Sequence, residues 1–219
     1  MRATGTSRED TCGALNTLVD VAKPMRGGDV GYTIFHAYRL LAEICDKPLG
    51  RPKISRLLGL GESSVKTLLR RLREAGLVME TSRGHKATNR GCTLALILSD
   101  TIRVKLVEHG NIEFEDENGW GRAAIIAAKP LEPPRDLVSV YRVRDKLVME
   151  GCGGAIIGGV NRGVYTFPGV PANIASQLAS LAEKAGLGTG KGLVVFLREK
   201  DLHKGFSSIV RMVYEALCR

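Results

Sequence analysis

The segment that constrains this chain most runs from Pro52 to Gly76 and reads PKISRLLGLGESSVKTLLRRLREAG. A proline in the first turn predicts the start of a short helix, because its missing N–H costs nothing there. The run GLG at 59–61 predicts a tight turn, a second helix follows from Glu62, and Gly76 predicts the end of that helix. A helix, a short glycine-containing turn and a helix form the layout of a helix-turn-helix.

The second of these helices is amphipathic. Val65, Leu68, Leu69 and Leu72 recur at three- and four-residue steps, so they share one stripe that can pack on a core. The opposite side carries hydroxyls and cations, which suit base edges in a DNA major groove, and the first half of the helix should lie nearest the bases. The candidate DNA contacts on these two helices are Lys53, Glu62, Ser63, Ser64, Lys66, Thr67, Arg70 and Arg71.

A hairpin with a basic tip is expected directly after this helix. Two short strand-like runs, at 77–80 and 86–88, flank the tip SRGH at 82–85. Such a hairpin is typical of a wing, whose cations reach phosphate or the adjacent minor groove. The candidate wing contacts are Arg83, His85 and Lys86. The wing favours a DNA-binding module over the alternative, an ordinary pair of helices with a solvated basic face.

The positive charge of the chain is concentrated in the same segment. The net charge is +9; residues 51–90 hold ten Lys or Arg and three Asp or Glu, and ten minus three gives +7. A concentrated excess of this kind predicts a polyanionic partner. An RNA- or ribosome-associated protein could use the same basic face. However, residues 51–90 contain no aromatic side chain on which bases could stack, which favours double-stranded DNA.

The runs LLGLGESSVKTLLRRLREAGLV and RGHKATNRG resemble those of winged-helix bacterial and archaeal transcription regulators. Ala87-Thr88 stands where such regulators usually have Leu-Thr, and the Gly50-Arg51 step is similar to the DNA-binding domain of the central glycolytic gene regulator. The whole chain also resembles an archaeal family that joins such a domain to an uncharacterised C-terminal domain. The resemblance implies a sequence-specific transcription regulator, and it implies no activity for the C-terminal half.

The organisation along the chain predicts an α+β protein. We expect a tail and short helix over 1–30, a winged helix-turn-helix over 31–108, an acidic linker over 109–121 and a C-terminal domain over 122–219. The first of these domains should close with a long helix from about Asn89 to Val107. The order of elements in the C-terminal domain, β-α-β-β-α-β-α, predicts a ferredoxin-like (βαββαβ) sandwich with an added helix.

The C-terminal domain is expected to bind a small-molecule effector or to serve only in dimerisation. Glycine-rich loops and helix N-termini favour anions, although such glycines are more often turn and packing residues. An enzyme domain fused to a DNA-binding head is the remaining alternative, but no nucleophile elbow or metalloprotease motif occurs. We therefore expect no enzymatic activity and no cofactor. The candidate effector-binding residues are Gly153, Gly154, Gly159, Asn161, Arg162 and Gly169.

A homodimer that reads an inverted repeat is expected, because one winged helix covers only a short half-site. Two apolar stripes could form its seam, one after the wing and one in the final helix, unless both pack within one subunit. The stripes are Leu94, Leu98 and Ile102, and Ile209, Val213, Tyr214 and Leu217.

The cysteines, histidines and apolar runs predict the compartment. Five cysteines without a C-x-x-C pair indicate thiols in a reducing cytoplasm, and four scattered histidines indicate no metal site. No run approaches 18 apolar residues and the N-terminus lacks a secretory apolar region, so we expect no membrane span and a cytoplasmic location.

Overall fold

The computed structural model describes residues 7–24, 31–108, 122–186, 188 and 190–219. The chain divides into two compact units, an N-terminal unit that ends at Asp100 and also takes in Cys218, and a C-terminal unit that begins at Thr101. The division therefore falls earlier than the boundary expected at residue 108. The expected linker, 109–121, and the first six residues of the expected tail lie outside the described residues.

The N-terminal unit contains five helices and a hairpin among its described residues. The helices are α1 (Arg8–Ala22), α2 (Ile34–Ile44), α3 (Arg51–Leu58), α4 (Glu62–Glu74) and α5 (Asn89–Thr101). The strands β1 (Val78–Thr81) and β2 (Gly84–Ala87) pair antiparallel, with Val78 opposite Ala87 and Thr81 opposite Gly84.

The predicted start and stop signals of α3 and α4 act as expected. Gly59 follows α3 with a φ of +66° and Gly76 follows α4 with a φ of +70°, a left-handed backbone that glycine adopts without strain. The predicted stripe on α4 is buried, since Val65, Leu68, Leu69 and Leu72 are each at most 2% exposed. The stripe packs into a core built from α1 to α4, whose fully buried members include Leu15, Leu18, Leu40, Leu41, Ile44 and Ile54.

Helix α5 begins as predicted and ends earlier. The Thr88 hydroxyl accepts a hydrogen bond from the N–H of Gly91 (3.1 Å) and donates one to the carbonyl of Gly76 (2.8 Å), so Thr88 caps the helix. The helix predicted to reach Val107 stops at Thr101, and residues 102–108 form strand β3 instead. This prediction was wrong because β-branched residues alternate with cations here, a pattern that suits an edge strand.

Four of the five cysteines form disulfides, which corrects the expectation of idle thiols. Cys45 pairs with Cys92 at a Cα separation of 5.5 Å, and Cys12 pairs with Cys218 at 5.6 Å. The partners are 47 and 206 residues apart in sequence, so spacing alone could not reveal them. Cys152 is a free and buried thiol, and burial raises its pKa to about 11. The cysteines therefore no longer argue for a cytoplasmic location.

The C-terminal unit is a five-stranded antiparallel sheet with helices on both faces. Its strands are β3 (Ile102–Glu108), β4 (Arg122–Ala128), β5 (Ala155–Asn161), β6 (Val164–Thr166) and β7 (Lys191–Arg198), in the order β3-β4-β7-β5-β6. The helices are α6 (Leu137–Met149), α7 (Ala172–Lys184) and α8 (Leu202–Cys218), with a 3-10 turn at Glu199–Asp201.

This strand order differs from the predicted ferredoxin-like sandwich, although the α+β class is confirmed. A ferredoxin-like order would place β4 beside β6, whereas β6 pairs only with β5 at the sheet edge. Strand β3 explains the difference, because it pairs with the whole of β4 from Ile102 opposite Ala128 to Glu108 opposite Arg122. One edge of β4 is thereby occupied, and its other edge pairs with β7.

The central strands β4 and β7 are buried on both faces, so their sequences do not alternate between polar and apolar residues. On one face Ile125 and Phe196 pack with Leu178 and Ala182 of α7. On the other face α8 approaches so closely that a Cβ at Gly205 would lie 2.1 Å from the Leu197 side chain. Alternate residues of each strand therefore belong to two different cores.

Candidate nucleic-acid interface

Helix α4 presents a polar face to solvent. Glu62, Ser63, Lys66 and Arg70 are exposed, and at 100° per residue they lie within one third of the helix circumference. The buried leucine stripe on the opposite side holds this face outward. On α3, Lys53 is exposed as well. The structure therefore brings three of the four cations predicted on these helices to the surface, Lys53, Lys66 and Arg70, and one of the three hydroxyls, Ser63.

A cleft of about 410 Å³ lies where the first turns of α3 and α4 meet, lined by Arg51, Pro52, Glu62, Ser63 and Lys66. Both helices begin after a glycine, Gly50 and Gly61, with no side-chain hydrogen bond at the N-cap. In α4 the first backbone N–H groups are therefore open to solvent or to an anion. In α3 this holds for Arg51 alone, because Pro52 has no N–H and the N–H of Lys53 donates to the carbonyl of Gly50 at 3.0 Å. Helix N-termini carry partial positive charge, which the guanidinium of Arg51 and the ammonium of Lys66 reinforce.

Two predicted contacts on α4 already have partners within the chain, and a third lies against Gly31. The Thr67 hydroxyl donates to the carbonyl of Ser63 at 3.0 Å, and Arg70 pairs with Glu74 at 3.2 Å. The Arg70–Glu74 pair is exposed and holds Arg70 only weakly. The Ser64 side chain faces inward, since a Cβ at Gly31 would lie 2.6 Å from its Oγ.

Arg71 is a structural tether in this structure rather than an outward DNA contact. Its guanidinium donates to the carbonyls of Val21 (2.7 Å) and Lys23 (2.5 Å), where α1 ends. These are carbonyls that the end of a helix leaves without an intrahelical partner. Sequence spacing placed Arg71 on the flank of the polar face, and only the packing of α1 against α4 shows its partners.

The three predicted DNA contacts on the hairpin differ in their exposure to solvent. Arg83 is exposed at the tip, and Lys86 is half-buried. His85 is only 6% exposed, which corrects its place among the wing contacts. Its backbone pairs with Leu49 through two 2.9 Å hydrogen bonds, and its Nδ1 has no hydrogen-bond partner. Desolvation is the main cause that lowers the His85 pKa, so the ring favours the neutral form.

Two cations that the sequence did not assign to the interface belong beside it. Arg51 lines the cleft between the helices. Arg73 follows Arg70 by three residues, is exposed and forms a 3.1 Å ion pair with Glu80 on β1. Arg73 could have been identified from the sequence, because it follows Arg70 by three residues on the same helix. Arg51 could have been identified from its position in the first predicted turn of α3.

The six candidate effector residues do not form one cluster. Gly153 and Gly154 precede β5, whereas Asn161 and Arg162 lie at its other end, about 20 Å away at 3.3 Å per residue. The glycines at 153 and 159 make room for neighbours: a Cβ would lie 2.1 Å from the Arg198 guanidinium or the Pro133 side chain, respectively. Gly169, with a φ of +80°, would meet Leu137, and Gly154 faces open space.

The expected dimer seams are also used within the chain. Leu94, Leu98 and Ile102 are at most 4% exposed, and Ile209 and Val213 are fully buried. The first stripe therefore offers no free apolar surface, and the second offers only the half-buried Tyr214 and Leu217. Among the described residues there is no group of three metal-ligating side chains, and none of the described helices is long and apolar enough to cross a membrane.

Comparison with known proteins gives two similarities. Residues 40–93, which contain α3, α4 and the hairpin, match the family model of the PH0730-like N-terminal domain. A comparison with curated proteins found no match. Among solved structures, a hypothetical protein, PH0730 from Pyrococcus horikoshii OT3, is similar with a TM-score of 0.57 and 25% identity, over 84% of this chain and 92% of that chain. The chain is thus similar to PH0730 over most of its length.

Proposed function

We propose that the N-terminal unit is a winged helix-turn-helix that binds double-stranded DNA, and that the protein is a sequence-specific transcription regulator. One observation carries the proposal: the polar face of α4 stands beside a cleft that holds Arg51 and Lys66 at two helix N-termini. Helix α4 would enter the major groove, and the hairpin of β1 and β2 would act as the wing.

The exposed charge of this surface favours a polyanion. Exposed cations in residues 51–90 are Arg51, Lys53, Arg56, Lys66, Arg70, Arg73, Arg83 and Arg90, against exposed Glu62, Glu74 and Glu80. Two of the three acids, Glu74 and Glu80, are paired with arginines of α4. The unpaired excess is therefore positive, and two of its members, Arg51 and Lys66, line the cleft beside α4.

The contacts would divide into two kinds. Ser63, Lys66 and Arg70 would reach base edges, and Arg offers the bidentate pairing that reads guanine. Arg51, Lys53, Arg83 and Lys86 would bind phosphates, which position the protein without reading sequence. The buried His85 and the tethered Arg71 would support the surface from behind.

Salt-dependent binding to duplexes tests the proposal directly. Fluorescence anisotropy would compare a duplex selected in vitro, a random duplex and single-stranded RNA of equal length between 50 and 300 mM salt. With about five to seven phosphates contacted per N-terminal unit, the slope of log K against log salt should lie near −4 to −6. A slope near zero, or tighter binding to RNA than to the selected duplex, would overturn it.

The C-terminal unit would join two copies, so that two half-sites about 34 Å apart are read together. The six candidate effector-binding residues do not lie together in the described part of the chain. The binding of a small-molecule effector therefore stays a prediction. The proposal assigns no enzymatic activity to the chain.

A further inference from the structure

Helix α6 exposes more apolar surface than it buries. Leu147 is the one fully buried residue of its thirteen. Leu137, Val138, Tyr141, Val148 and Met149 are exposed by 47%, 59%, 49%, 51% and 87%. Exposed apolar patches of several hundred square ångströms mark interaction sites in soluble proteins. The described residues of the chain leave this face uncovered, which favours a partner.

Two opposite charges stand within the exposed face. Val138, Arg142, Asp145 and Met149 follow one another at steps of four, three and four residues, so they lie within about 60° of arc. All four are exposed, and no ion pair of the described residues includes Arg142 or Asp145. We call this row the α6 stripe; Tyr141 and Val148 flank it on one side.

We propose that the α6 stripe is the interface between two copies of this chain, packed antiparallel about a two-fold axis that passes between positions 143 and 144 of α6. That axis places Arg142 opposite the partner's Asp145 and Val138 opposite the partner's Met149, each contact occurring twice. Because a two-fold interface must be complementary to itself, a row with an apolar residue at each end and one charge of each sign between them meets the requirement.

The same row disfavours other partners. An interfacial membrane helix carries cations around an apolar face, whereas Asp145 would place a carboxylate in the middle of the buried side. The five exposed apolar side chains offer an area on the order of 500 Å², and the stems of Arg142 and Asp145 enlarge it toward the roughly 800 Å² that each partner gives to a standard interface. The inference supplies the interface for the proposed homodimer and does not depend on DNA binding.

A charge-swap experiment tests the interface. Sedimentation equilibrium without DNA would compare the full chain with Arg142→Asp, Asp145→Arg and the double variant. Each single change sets like charges opposite each other, so the dimer Kd should rise at least about tenfold. The double variant restores both pairs, and its Kd should return to within about threefold of the original.

Lys184→Asp is the control, because Lys184 is exposed at the end of a different helix, α7, away from the exposed residues of α6. It makes the same charge change and should leave the Kd unaltered, while circular dichroism shows that every variant is folded. A monomeric chain at 100 µM, single variants that dimerise unchanged, or a double variant as weak as either single one would overturn the interface. Cosedimentation of a monomeric chain with anionic vesicles would overturn it in favour of a membrane surface. DNA binding by a monomer would leave the proposed function standing.

Discussion

The guanidinium of Arg71 donates a 2.7 Å hydrogen bond to the main-chain carbonyl of Val21. A second hydrogen bond to Lys23 makes this arginine the cap of α1 and a link between α1 and α4. The next cation back along α4, Arg70, points outward and pairs with exposed Glu74. Two adjacent arginines of one helix therefore have different roles, and the difference can be measured.

Arg71→Met should destabilise the N-terminal unit by about 1.5–3 kcal/mol, since two hydrogen bonds to a charged group are lost. The carbonyl of Lys23 loses its donor, whereas the carbonyl of Val21 keeps the hydroxyl of Tyr32 at 3.0 Å. Arg70→Met is the matched control and should cost about 0.5 kcal/mol or less, because its ion pair is exposed. Urea unfolding followed by circular dichroism gives both values. Equal losses for the two variants would contradict the tether.

Arg70 should contribute to the sequence preference of DNA binding although it contributes little to stability. Arg70→Ala and Lys66→Ala should lower the preference for the selected duplex over a random one by about 1–3 kcal/mol each, because the proposed binding mode assigns both side chains to base edges. Arg83→Ala should weaken binding to both duplexes alike, since a phosphate contact carries no sequence information. Competition anisotropy measures both effects. Uniform losses for all three variants would show that α4 does not read the bases.

The Cys45–Cys92 disulfide closes a loop that contains α3, α4 and the hairpin, with a sequence separation of 47. Replacing both cysteines by serine should lower the stability of the N-terminal unit by about 3–4 kcal/mol, because the unfolded chain regains loop entropy. Thermal melts with and without a dithiol reductant measure the change. Without reductant, the parent protein should be more stable than the double serine variant. Because the variant has no disulfide at this position, the reductant should cause no loss of stability there. A reductant-insensitive parent with the stability of the variant would contradict the prediction.

The buried His85 should make the N-terminal unit less stable in mild acid. Desolvation lowers its folded pKa below the ordinary 6.5, so the unfolded chain takes up a proton first as pH falls through 6.5. Its stabilising contribution is therefore complete above that pH and declines below it, down to the folded pKa. NMR titration of the ring should give a pKa under 6.5, and His85→Gln should flatten the dependence of stability on pH between 7 and 5. A ring pKa above 6.5 would refute the burial argument.

Local patterns in the sequence were enough to place the elements from α3 to the start of α5. Pro52, Gly59 and Gly76 act on their own backbone, and the stripe of Val65 to Leu72 follows from steps of three and four residues. These interactions join neighbours in sequence, so a single chain suffices to recognise them.

Only the tertiary structure decided which of the candidate residues are exposed and which are buried or paired within the chain. Arg71 and His85 look like their exposed neighbours in sequence, but their partners are α1 and the segment after α2. The disulfides, the pairing of β3 with β4 and the strand order likewise join residues far apart in the chain. The burial and pairing of a polar group depend on what packs against it, and that information is not carried by the residues on either side.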